Sequence, residues 1–229
     1  MSELGQPVTL PETGPVITSK PVKSSKLWQL ILFTIVFAAL VFMVGVTIGN
    51  KFFWNQFDRT PIADRQYKTA LDKVKVNPTS ADSHVALGWA LFQKGQYNDA
   101  LAEYQKALSL DDKNFMANLN LGLAYRQVNK NDLAVSTFQK TVALAPKSFE
   151  AHYYLGLSYQ QVSKLQDSLD ELNLAYKLNP GSTDVIYDIG QCYEKMGKLD
   201  DAKKQYNAVL EFDPNFVKAK DALKRLGVK

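Results

Sequence analysis

Little in this sequence can do covalent chemistry. Its 229 residues include one cysteine, Cys192, so no internal disulfide can form and a disulfide-stapled secreted domain is excluded. The only two histidines, His84 and His152, have no partners at metal-ligand spacing. There is no HExxH helix, no glycine-rich phosphate loop and no nucleophile elbow. The aspartates and glutamates are scattered in a way that reads as solvated helix faces. The expectation is a non-enzyme with no cofactor and no metal. A basic face is also lacking. Residues 81–229 carry 18 Lys and Arg against 18 Asp and Glu, which argues against nucleic-acid binding. The excess behind the net charge of +4 lies in residues 1–80, with 9 basic against 5 acidic residues, beside an apolar segment, where it suits a membrane surface.

That apolar segment, residues 27–49, reads LWQLILFTIVFAALVFMVGVTIG. It contains no charge, and Gln29 is its only strongly polar side chain. At 1.5 Å per residue it makes about 34 Å of helix, enough to cross a hydrocarbon core of roughly 30 Å. Trp28 at one end and Phe52, Phe53 and Trp54 at the other suit the two interfaces. A cleavable signal peptide fits less well, because the run is too long, a 26-residue tail precedes it and Thr47-Ile48-Gly49 is a poor cleavage site. A single-pass anchor is therefore expected, lying in a bilayer. Lys20, Lys23 and Lys26 crowd the N-terminal flank, against Lys51 alone at similar range on the other side. This places the N-terminus inside and the C-terminal part outside the cytoplasm. Gly45 and Gly49 form a GxxxG pair, a candidate contact for weak homodimerisation through the membrane helix.

Residues 1–26 hold four prolines, two glycines and many Ser and Thr, and are expected to be disordered. Within them Leu10-Pro11-Glu12-Thr13-Gly14 matches the LPxTG cell-wall sorting signal. That signal works near a C-terminus, ahead of an apolar stretch and a basic tail, so the match reads as coincidence.

The strongest signal is a repeat of period 34. Leu87-Gly88, Leu121-Gly122, Leu155-Gly156 and Ile189-Gly190 recur at that step. Three residues after each glycine come Leu91, Tyr125, Tyr159 and Tyr193. Twelve after come Ala100, Ala134, Ser168 and Ala202. Four beyond those come Tyr104, Phe138, Leu172 and Tyr206. Each unit closes on Asp112, Pro146, Pro180 or Pro214, with Pro78 one period upstream. The glycine on a first helix lets a second helix pack close, with the small residue twelve later meeting it. The aromatic residues fill the hairpin, and the proline ends it.

This pattern, L-G-x-x-Y, then A-x-x-x-F, then P, over residues 81–216, resembles the tetratricopeptide repeat family. The resemblance implies an all-α, right-handed superhelix of four helical hairpins at 81–114, 115–148, 149–182 and 183–216. His84, Asn118, His152 and Ile186 stand where the family usually has Trp, and the two histidines are expected to fill hairpin interiors. Residues 50–60 read as a short linker. Residues 61–80 read as an N-terminal cap helix, with Thr60 as N-cap, Pro61 at the first helical position and Ala63, Tyr67, Ala70, Leu71 and Val74 as its apolar stripe. Residues 217–229 read as a closing helix.

In the family, first helices line an inner groove that binds peptides or helices of a partner protein. By register, the positions facing it here are Val85, Trp89, Phe92, Leu119, Asn120, Leu123, Arg126, Tyr153, Tyr154, Leu157, Gln160, Tyr187, Gln191 and Glu194. The position after each glycine, usually polar in the family, holds Trp89, Leu123, Leu157 and Gln191, so an apolar or amphipathic ligand is expected. The family's carboxylate clamp is absent. Only Asn120 matches it, while Val85, Trp89, Glu150 and Tyr154 stand at other clamp positions. The layout resembles bacterial inner-membrane repeat proteins, such as those of cytochrome c maturation. It implies a membrane-anchored scaffold or adaptor with a chaperone-like or assembly role. The alternative is a stoichiometric structural subunit of a membrane complex.

Overall fold

The computed structural model describes residues 24–48 and 61–227. The chain divides into two units, Met1–Arg59 and Thr60–Lys229. Among the described residues there are eleven α-helices and no strand.

The first unit contributes α1, Ser24–Ile48. It starts three residues ahead of the expected apolar segment, so Ser24, Ser25 and Lys26 are helical rather than part of a disordered tail. Its described side chains, at 28–29 and 31–43, are exposed all round the helix, from Ile31 at 43% to Phe33 and Phe42 at 72%. Thr34 donates its hydroxyl to the Ile31 carbonyl at 2.8 Å, so that polar group is satisfied within the helix. Among the described residues no helix is long and apolar enough to cross a membrane. The longer run of described side chains, 31–43, covers about 20 Å of helix, and the expected span of 27–49 extends past it. The tail at 1–23, its LPETG match, the linker at 50–60 and the surroundings of Gly45 and Gly49 lie outside the described residues.

The second unit is a series of helical hairpins. The first helices are α3 (Ala81–Gln93), α5 (Phe115–Gln127), α7 (Phe149–Gln161) and α9 (Thr183–Lys195). The second helices are α4 (Tyr97–Leu110), α6 (Asn131–Leu144), α8 (Leu165–Leu178) and α10 (Leu199–Phe212). Helix α2 (Ile62–Val76) precedes them and α11 (Val217–Arg225) follows. Each second helix packs on its own first helix and on the next one, while the first helices touch one another in sequence.

Short-range chemistry sets the helix ends. The side chains of Ser80, Asn114 and Ser148 accept from the backbone N–H of Ser83, Ala117 and Ala151, capping α3, α5 and α7. Each hairpin turn needs one residue in the left-handed region. Gly95 and Gly197 supply it without strain, whereas Asn129 (φ 58°) and Ser163 (φ 60°) hold it with a side chain. Pro61 occupies the N-cap of α2 and accepts from Asp64 and Arg65, so it caps the helix rather than starting it. Thr60 lies outside the described residues.

Inside each hairpin, what fills the glycine's space is the large residue sixteen positions later. A Cβ on Gly88 would lie 2.6 Å from Tyr104, one on Gly122 2.6 Å from Phe138, one on Gly156 2.8 Å from Leu172 and one on Gly190 2.6 Å from Tyr206. The small residue twelve positions later is fully buried in all four repeats. In the third it touches the glycine directly, through Ser168 donating to the Gly156 carbonyl at 2.8 Å. Full burial of a ring such as Phe138 contributes about 1.5–3 kcal/mol. The ends are closed by Ala70 with Tyr67, Leu71 and Val74 on α2, and by Ala219, Ala222 and Leu223 on α11.

The two histidines are interior ties. His84 Nε2 donates to the Pro78 carbonyl (2.9 Å) and Nδ1 is hydrogen-bonded to the Glu103 carboxyl on α4 (2.6 Å). His152 repeats this with Pro146 (3.0 Å) and Glu171 (2.6 Å). Each ring thus binds the loop before its repeat to its own second helix. Asn118, at the same register, reaches only the loop and first turn, through the carbonyls of Asp112 and Asn114.

Candidate functional site

The inner surface made by the first helices differs from end to end. On α3, Trp89 is 41% exposed and stacks on Phe92 one turn later, with centroids 5.6 Å apart and planes 6° apart. Trp89 forms a wall of two clefts. One, of about 320 Å³, runs to α5 and is lined by Asp82, Val85, Ala86, Trp89, Met116 and Asn120. The other, of about 450 Å³, runs to α2 and is lined by Ile62, Arg65, Gln66, Thr69, Ala70, Lys73, Ala86, Trp89 and Ala90. A large apolar ring left half in water between two clefts is a feature folding alone does not require.

Further along, polar ties replace open space. Tyr153 on α7 donates to Asp188 on α9 at 3.0 Å. Gln160 donates to the Asp188 carbonyl (3.4 Å) and to Cys192 Sγ (3.2 Å), and accepts from Lys195 (3.1 Å). Arg126 Nε donates to Gln161 at 3.3 Å. Glu194 accepts from Tyr206 at 2.7 Å and from Arg225 on α11 at 2.8 Å. Gln191 donates to the Tyr187 hydroxyl at 3.3 Å. A smaller cleft of about 140 Å³, lined by Phe92, Leu123, Arg126, Gln127 and Gln161, marks where the two kinds of surface meet.

Burial sets the electrostatics. It pushes the Asp188 carboxyl up to about 6. Asp184 adds to this, and the Tyr153 hydrogen bond, Lys218 and Arg126 oppose it. Burial lowers the Arg126 guanidinium, against the pull of Tyr153, Tyr154 and Asp188. Burial also raises the hydroxyls of Tyr153 and Tyr187.

Of the residues expected to line the groove, Val85, Phe92, Leu123, Arg126, Tyr153, Tyr154, Leu157, Gln160, Tyr187, Gln191 and Glu194 are partly buried, and Trp89 is exposed. Leu119 and Asn120 depart from the expectation. Leu119 is buried in the core with Phe138, Leu155 and Tyr159, because the next hairpin closes over it. Asn120 lines the cleft beside Trp89 but is only 5% exposed. Asp82, Met116 and Asp188 were missed. Asp82 and Met116 share one register position, and the length of a first helix makes that position part of the same wall. Among the described residues no group of three or more His, Cys, Asp or Glu side chains is placed to hold a metal ion.

Comparison with known proteins follows the repeat register. Three family descriptions match in overlapping stretches: TPR repeat over residues 88–128, and Tetratricopeptide repeat over 119–183 and 161–226. Residues 88–226 are tetratricopeptide repeats. Solved structures share the fold. MamA is 24% identical, with a TM-score of 0.62 over 69% of this chain and 98% of its own. The MamA 41-end fragment from Desulfovibrio magneticus RS-1 is 22% identical, with a TM-score of 0.64 over 69% of this chain and 89% of its own. YrrB, a TPR protein with an unusual peptide-binding site, is 24% identical, with a TM-score of 0.60 over 70% of this chain and 84% of its own. No curated protein sequence matches the chain. In tetratricopeptide terms, the two clefts flank the position directly after the first repeat's glycine.

Proposed function

We propose that this chain is a membrane-anchored interaction scaffold, in which the N-terminal apolar helix sits in a bilayer and the tetratricopeptide array binds a partner peptide or amphipathic helix. The observation that carries the binding half is Trp89, half-exposed, stacked on Phe92 and flanked by two clefts. Peptide binding in a similar fold, as in YrrB, supports it. The anchor half is supported by the unbroken apolar run of 27–49, by the helical backbone of α1 and by the all-round exposure of its described apolar side chains. A helix with no polar face has nothing to offer water and suits lipid. The basic flank at Lys20, Lys23 and Lys26 argues for the repeats outside the cytoplasm, in an assembly or chaperone-like role.

A reporter at the C-terminus tests the topology. Activity outside the cytoplasm is expected, and an active cytoplasmic reporter overturns that placement. A photo-crosslinking residue at position 116, which lines the same cleft as Trp89, used in intact membranes, tests the groove. One partner is expected, and its recovery is lost when a lysine replaces Trp89. Recovery unchanged by Trp89→Lys overturns the groove. The alternative, a stoichiometric subunit of a membrane complex, is favoured by the same exposed apolar side chains of α1, which suit neighbouring membrane helices as well as lipid. A partner crosslinked at fixed one-to-one yield in every growth condition would select that alternative, with Gly45 and Gly49 as the helix contact.

A further inference from the structure

The groove's partner can be narrowed by chemistry. Resting on the groove reading above, the geometry points to a ligand that places an arginine or lysine in the Asp82 cleft and a neighbouring apolar side chain across Trp89 against α2. The Asp82 cleft has apolar walls from Val85, Ala86, Trp89 and Met116, and a single carboxylate at its edge. Its Oδ1 accepts from Asn114 at 3.1 Å, and among the described residues no Lys or Arg is paired with it. Apolar walls ending in a carboxylate suit a side chain with a methylene stem and a cationic head. The face of Trp89 adds a second attraction for that head. An acidic side chain in the same place would meet Asp82 with like charge. On the other side of the ring, Ile62, Ala70 and Ala90 offer an apolar seat in a cleft that Arg65, Gln66, Thr69 and Lys73 also line, so the ligand's cation belongs on the Asp82 side.

Charge along the inner surface agrees. The register position of Asp82 recurs as Met116, Glu150 and Asp184, and all three acids are exposed. A ligand running along the first helices therefore passes acidic groups at three of four repeats, and a cationic amphipathic peptide complements them. Because Trp89 borders both clefts, the cation and the apolar anchor are close neighbours on the ligand: one turn apart in a helix, or two residues apart in an extended strand.

The test is made on the full-length chain in detergent micelles, panned against a random twelve-residue peptide library. Binders that fail on Trp89→Lys are kept. They are expected to carry Arg or Lys within four residues of a large apolar residue. Changing that cation to Glu is expected to weaken binding about tenfold or more on the natural chain and under about twofold on Asp82→Asn, the signature of a direct pair. Met116→Lys brings a competing cation to the cleft from α5 and is expected to block the same peptides. Groove-dependent binders that tolerate the cation swap, or lose equally on Asp82→Asn, overturn the cation site and leave the groove standing. A library that gives no Trp89-dependent binder overturns both.

Discussion

The first and last repeats are built on one 34-residue frame yet present opposite inner surfaces. In the first, Val85, Trp89 and Phe92 face the groove; 102 residues later the same positions are Tyr187, Gln191 and Glu194. The early set leaves a tryptophan half in water between two clefts. The late set spends its polar atoms on its neighbours: Gln191 on Tyr187, and Glu194 on Tyr206 and Arg225. One half leaves its inner surface open and the other is held together by itself. The largest expected effect tests this division. Trp89→Lys should weaken partner binding by about 2–4 kcal/mol, roughly 30- to 1000-fold, the range for an aromatic hot spot. Gln191→Lys at the same register should change it less than about threefold. Titration of the purified partner against each variant gives both numbers, and equal losses would dissolve the division. Neither position is in the core, so thermal unfolding should change little.

The late half can be probed through Asp188. Burial pushes its carboxyl up to about 6 from 3.8, with Asp184 beside it, Tyr153 donating from α7, and Arg126 and Lys218 opposing. The folded chain holds this proton more tightly than the unfolded chain does. The stabilisation is therefore complete below about 3.8 and is lost as pH rises through about 6. Asp188→Asn keeps an acceptor for Tyr153 and cannot ionise. Its stability should match that of the natural chain near pH 4 and exceed it by about 1–3 kcal/mol above pH 7, in denaturant unfolding. A gap that stays constant from pH 4 to 7 would show that the carboxyl is not held off its ordinary value.

Much of this was legible in the sequence. The period of 34 and the glycine in each first helix follow from hairpin geometry, which fixes register tightly enough to read from letters; the small residue twelve later was expected to meet that glycine, and the large residue sixteen later fills its space instead. Burial of His84 and His152 was legible for the same reason. Their bonds to Glu103 and Glu171 were not, because they join residues nineteen apart across a hairpin whose rotamers the sequence does not state. Leu119 was misplaced, and Asn120 lines the groove but is more buried than expected, because register gives the direction of a side chain from its helix, and the next hairpin decides whether that direction stays open. Asp188 was missed because an acid on a helix face reads as solvated until a neighbouring tyrosine is seen to cover it.

The finest comparison is between two tyrosines in the same place. Tyr104 and Tyr206 each fill the space above a glycine, and both are fully buried. Tyr206 donates to Glu194 at 2.7 Å, whereas the Tyr104 hydroxyl has no partner among the described residues. The cause is one register position: where the last repeat has Glu194, the first has Phe92, which stacks on Trp89 in the groove. The apolar groove thus leaves a buried hydroxyl behind it with no protein partner among the described residues. Burial raises both hydroxyls, and the Glu194 bond raises Tyr206 further. Tyr104→Phe should then stabilise the fold by about 0.5–1 kcal/mol, because it removes a buried hydroxyl that no described side chain or backbone group pairs with. Tyr206→Phe should destabilise it by about 1–1.5 kcal/mol, because it removes a bond to a carboxylate that Arg225 still holds. Denaturant midpoints of the two variants should move in opposite directions. If both fall, the first repeat satisfies its tyrosine in solution, and its open groove carries no such cost.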